Sequence, residues 1–114
     1  MDLDTLRDIC NLLPMVTEDI KWGNDLCFLI GGKMFCVTGL TSPVSVSLKV
    51  KPEQFDEMIS LPGIEPAPYL ARHHWVLIKP ANKLSKKEWE KYIVQSYELV
   101  KSKLPKNLFK KKTK

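Results

Sequence analysis

The chain has 114 residues, 44% hydrophobic and 27% charged, a length and balance that suit one soluble core and exclude two. Its net charge of +5 is segregated: residues 1–100 carry eleven Lys/Arg against thirteen Asp/Glu, whereas residues 101–114 carry seven lysines and no acid. Apolar runs such as Leu26–Ile30 fall far short of the ~20 residues of a membrane helix, and the start Met1-Asp-Leu-Asp has no basic flank leading into an apolar stretch, so cytoplasmic residence is the default expectation.

Asp2 can cap a first helix, with Leu3, Leu6, Ile9, Cys10 and Leu13 at helical spacing and Pro14 stopping it. Val16 to Gly23 reads as a connector, with Trp22 as a plug in the core. From Asp25 to Thr38, two apolar runs flank Gly31-Gly32, the pattern of a tight β-hairpin. Cys10, Cys27 and Cys36 are odd in number and lack paired spacing, which argues against a disulfide framework or a CxxC zinc site. Their apolar neighbours suit small core residues.

Val44 to Val50 alternates without a fault: Val44, Val46, Leu48 and Val50 on one face, Ser45, Ser47 and Lys49 on the other. That is a half-buried strand whose register is firm, because a one-residue slip would bury the lysine. Its open face is expected to be a small polar patch. Pro52 suits the first turn of a second helix, carried by Phe55, Met58 and Ile59 and ended by Leu61-Pro-Gly63.

Residues 64–72 read as a proline-stiffened loop, and residues 74–79 as a fourth strand in which Trp75 anchors the core. Ser85-Lys-Lys-Glu88 fits a capping box opening a last helix. Trp89, Tyr92, Ile93, Ser96, Tyr97 and Val100 give that helix a broad apolar stripe of the kind found in cores. The predicted order is α-β-β-β-α-β-α, an α+β fold with an antiparallel sheet. It spans a domain over residues 1–104, followed by a lysine-rich tail over 105–114.

The residues Trp22-Gly23, Lys33-Met34-Phe35, Ser47-Leu48-Lys49, Pro52-Glu53, Gly63-Ile64 and Pro66-Ala67 form a series. It continues through Tyr69-Leu70, Arg72, His74-Trp75 and Ser96-Tyr97. In this order and over nearly the whole length, the chain resembles the MmcQ/YjbR-like family of small bacterial proteins. The resemblance implies a double-wing or frataxin-like α+β fold and a predicted DNA-binding role. The lysines from Lys106 onward are not part of the shared pattern.

Both histidines, His73 and His74, stand beside Trp75, and imidazole titrates near neutral pH. No G-x-S-x-G, Walker or dinucleotide motif accompanies them. If they lie on a strand they point to opposite faces and do not share a metal. The expectation is therefore a protein that is not an enzyme and has no cofactor or metal. The candidate anion site is a groove of Lys49, Tyr69, Arg72 and His74, aided by Lys106, Lys110, Lys111 and Lys112 of the tail. Such cations serve phosphate contacts, which give affinity without sequence information. The alternative is a protein-interaction or small anionic-ligand module with no nucleic-acid role, favoured by the net charge of the first hundred residues. The tail lysines are equally explained by solubility.

Overall fold

Helix α1 (Leu3–Asn11) starts where Asp2 accepts a 2.7 Å hydrogen bond from the Thr5 amide and buries Leu6, Ile9 and Cys10. The computed structural model describes residues 1–68, 70–80 and 82–105. After α1 come β1 (Val16–Lys21), β2 (Asp25–Ile30), β3 (Lys33–Thr38) and β4 (Val46–Lys49), then α2 (Pro52–Ile59). The chain continues through β5 (Ile64–Pro66), a 3₁₀ turn (Ala71–His73), β6 (Trp75–Ile78) and α3 (Lys86–Lys101). The strands form one antiparallel sheet in the order β1-β2-β3-β4-β6-β5. The helices lie on one face of it, giving a two-layer α+β domain.

The hairpin, the alternating strand and the helices are where the sequence places them. Val44, Val46, Leu48 and Val50 are buried, while Ser45, Ser47 and Lys49 are only partly so. The capping box forms in both directions, at 3.1 Å from Glu88 N to Ser85 Oγ and at 3.0 Å from Ser85 N to Glu88 Oε1. The three cysteines are free and buried.

Three expectations are corrected. Val16–Lys21 is not a connector but an edge strand, paired residue for residue with β2. Trp22 is no core plug: it is 70% exposed, at the left-handed φ of 53°. A second unforeseen strand, β5, completes the sheet on the far edge, where Pro66 needs no ladder donor.

The β1 edge is tied to α1 through Glu18. Arg7 donates to both of its carboxylate oxygens, at 2.9 and 3.1 Å, and Asn11 Nδ2 donates at 2.7 Å. The Arg7 hydrogen bonds hold the Glu18 carboxyl below the usual carboxylate range. A carboxylate with a lowered folded pKa stabilises the fold above its unfolded value of about 4.3, and that stabilisation is lost as pH falls through the folded value. Wild type should therefore lose more stability than Glu18→Gln between neutral pH and pH ~3, as read by urea unfolding at each pH.

At the centre, Phe28 lies opposite Cys36 and Leu29 opposite Met34, so Phe35 is the extra residue of a β-bulge. The bulge takes the Phe35 carbonyl out of the ladder and leaves it to Ser96 of α3, whose hydroxyl donates to it at 2.5 Å. The same hydroxyl accepts from the Lys49 amide at 2.9 Å. One buried serine thus closes the gap where β3 and β4 part. Next to it, Tyr97 packs edge-on against Phe35 with ring centroids 5.4 Å apart and donates to the Pro14 carbonyl at 2.7 Å.

Candidate anion site and outer-face trough

Alternation on β4 sends Lys49 to the sheet face opposite the helices, where the ladder sets it across from Trp75. Trp75 is buried, but on this outer face and outside the main core. The chain reaches β6 through the 3₁₀ turn, and His74 closes that turn at φ 65°. Neither histidine therefore lies on a strand: His73 is in the turn and His74 is its left-handed cap. The strand-alternation argument about the pair does not apply.

The turn is bound to β4 twice. The Val50 amide donates to the His74 carbonyl at 2.9 Å, and the Lys49 ammonium donates to the His73 carbonyl at 2.8 Å. The His74 ring sits edge-on to Phe55, 5.7 Å between centroids, which fixes the turn against α2. Arg72 is exposed on the same turn. Burial, then the nearby charge of Lys103, lower the pKa of Lys49. Among the described residues no carboxylate bonds to Lys49.

Of the residues expected to form the groove, Lys49 binds the turn that carries Arg72 and His74, and the His74 ring is turned to Phe55 of α2. Lys103, just beyond α3, is near enough for its charge to act on Lys49, a neighbour that strand and helix patterns do not reveal. Tyr69, Lys106, Lys110, Lys111 and Lys112 lie outside the described residues. Among the described residues, no group of three or more His, Cys, Asp or Glu is placed to hold a metal ion. No described helix is long and apolar enough to cross a membrane.

The rest of the outer face differs from the small polar patch expected of it. A trough of about 670 Å³ runs across it, lined by Trp22, Asp25, Met34, Val37, Ser47 and Leu70. A second hollow of about 410 Å³ shares Asp25, Val37 and Ser47 and continues past Thr38, Thr41 and Ser45. Sequence reasoning missed the trough because its walls come from segments far apart in the chain. The available signal was Trp22-Gly23 directly after a charged stretch, a poor context for a core tryptophan.

A sequence model described as YjbR matches residues 12–99. No curated protein matches the chain. Among solved structures, the chain is similar to the Deinococcus radiodurans protein DR2400, which carries a DUF419 domain. The TM-score is 0.86 at 28% identity, covering 96% of this chain and 86% of that one. A crystal structure of a Pseudomonas syringae protein matches at TM-score 0.72 and 22% identity, over 87% of this chain and 98% of that one. A solution structure of a Pseudomonas syringae protein matches at TM-score 0.69 and 21% identity, over 87% and 92%. These last two share the fold.

Proposed function

The chain belongs to the YjbR family, and from that footing we propose that it is a cytoplasmic, non-catalytic protein that binds DNA weakly and mainly through charge. One observation carries the reading. The Lys49 ammonium is held on the His73 carbonyl within range of the Lys103 charge, with Arg72 exposed on the same turn and no carboxylate bonded to Lys49 among the described residues. A partly desolvated cation in that setting gains from an anionic partner, and phosphate oxygens are suitable acceptors. Lys103 also belongs to the seven-lysine stretch from residue 101 to 114, so the patch and the tail form one cationic run in sequence. Three free, buried cysteines accord with a reducing compartment.

The second reading is a small anionic ligand or an acidic partner at the same turn. It is favoured by the compactness of the patch and by the thirteen acids against eleven bases over residues 1–100. A polyanion passing over such a body meets repulsion away from the turn, whereas a single carboxylate or phosphate group does not.

Binding of a fluorescent DNA duplex to the full chain at low salt separates the readings. The double variant Lys49→Met/Arg72→Ala, which keeps the lysine stem, should weaken binding roughly 10- to 30-fold, from about 1 kcal/mol per lost contact. Changing Lys106, Lys110, Lys111 and Lys112 to Gln should weaken it further. If only the tail changes matter, the tail is a nonspecific cation and the turn belongs to the second reading. Absence of binding by wild type at low salt excludes the DNA reading.

A further inference from the structure

We propose that the outer-face trough is a separate binding site for a small organic cation with an apolar or aromatic body, of the arylalkylamine type. The site begins with Trp22. At φ 53°, followed by Gly23 at φ 80°, it holds a left-handed conformation that costs a non-glycine residue about 1–3 kcal/mol. What that backbone presents is an indole left 70% exposed at the mouth of a concave, mainly apolar surface. A flat exposed indole beside a carboxylate is the pair that recognises organic cations, through the ring face and through charge.

The carboxylate is Asp25. It lines both the trough and the adjoining hollow, and among the described residues it makes no hydrogen bond or ion pair. Lys21 stands opposite it in the ladder, but the Lys21 ammonium lies 3.7 Å from Asp19 instead. With Lys21 paired to Asp19, Asp25 is the one charged residue among the described residues that line the trough and the hollow. Lys49 lies on the same face, two residues along β4 from Ser47, but its ammonium is held on the His73 carbonyl and it does not line the trough.

The remaining lining sets the shape of the occupant. Met34, Val37 and Leu70 offer apolar contact for a ring or short chain, and Met adapts to irregular shapes. The hollow past Asp25 is lined by the hydroxyl-bearing Thr41 and Ser45, which suit a polar substituent beyond the amine, while the Thr38 hydroxyl is already given to the Ser45 carbonyl. A space of about 670 Å³ lies within the usual range for small-molecule sites, roughly 300–1,000 Å³.

The test compares phenethylamine with 3-phenylpropionate, which share a ring and differ in the sign of their charge. Each is titrated into the full chain while amide and indole N–H resonances are followed by NMR. Phenethylamine should shift the Trp22 indole and the Asp25, Met34 and Ser47 amides saturably, and 3-phenylpropionate should bind at least fivefold more weakly. Asp25→Asn, close in shape, should erase that preference, and Trp22→Ala should weaken the amine at least fivefold with the remaining spectrum retained. Equal binding of the two probes, no saturable shift with the amine, or an unchanged preference in Asp25→Asn overturns the proposal. Because the comparison of probes uses wild-type protein, the outcome does not depend on a variant folding, and it is independent of whether DNA binds at Lys49.

Discussion

Tyr97→Ala should destabilise the domain by about 3–5 kcal/mol in urea unfolding, the range for deleting a large aromatic from a core. Tyr97 is 1% exposed and supports the structure in two ways. Its ring meets Phe35, the bulged residue of β3, edge to face. Its hydroxyl donates to the Pro14 carbonyl, which precedes the turn into β1. Losing it opens a cavity under the bulge and leaves a carbonyl without its partner. Tyr97→Phe separates the two, retaining the ring and costing about 1 kcal/mol. Since domains of this size are stable by only about 5–15 kcal/mol, the alanine variant should be close to unfolding at moderate temperature. A cost below about 1 kcal/mol for Tyr97→Ala would contradict this account of the core.

Ser96→Ala should cost about 2–4 kcal/mol, far more than the removal of one oxygen suggests. The Ser96 hydroxyl donates to the Phe35 carbonyl and accepts from the Lys49 amide, and the residue is fully buried. With alanine, both backbone groups lose their partner at once, and an unsatisfied buried group costs about 1–3 kcal/mol. The contrast is Ser102→Ala: that hydroxyl bonds to the Leu99 carbonyl in an exposed setting. Its loss should stay within about 0.5 kcal/mol, as for ordinary surface changes. The Ser96 substitution should also reach the anion site, because the Lys49 amide it releases positions the lysine at the turn. Equal effects at the two serines would show that the β3–β4 gap does not depend on Ser96.

What the sequence made legible is the part of the fold written in local periodicity. The Val44–Val50 alternation, the Gly31-Gly32 hairpin and the Ser85–Glu88 capping box each follow from neighbouring residues alone. β1 escaped because Glu18 and Asp19 break the apolar pattern. Glu18 faces the helix side only because Arg7 and Asn11 of α1 meet it there. β5 is three residues long and ends at a proline, too short for any period.

The site divides in the same way. Lys49 and Arg72 were legible as candidates by residue type, and β4 alternation gives Lys49 its face. That His74 caps a turn and packs on Phe55, and that the charge of Lys103 acts on Lys49, depends on tertiary placement. The trough was not legible. Trp22, Asp25, Met34, Ser47 and Leu70 are brought together by the sheet, and no local pattern marks an indole whose backbone turns it outward.

The account rests on charge at the Lys49 turn, and the salt dependence of DNA binding tests it most directly. Each phosphate contact contributes about 0.9 to the slope of log affinity against log salt for duplex DNA. The full chain and its Lys49→Met/Arg72→Ala variant should give slopes differing by about 2, the variant being shallower and weaker at every salt concentration. Matching slopes and matching affinities in the two proteins would contradict the account and remove the turn from the DNA-binding surface.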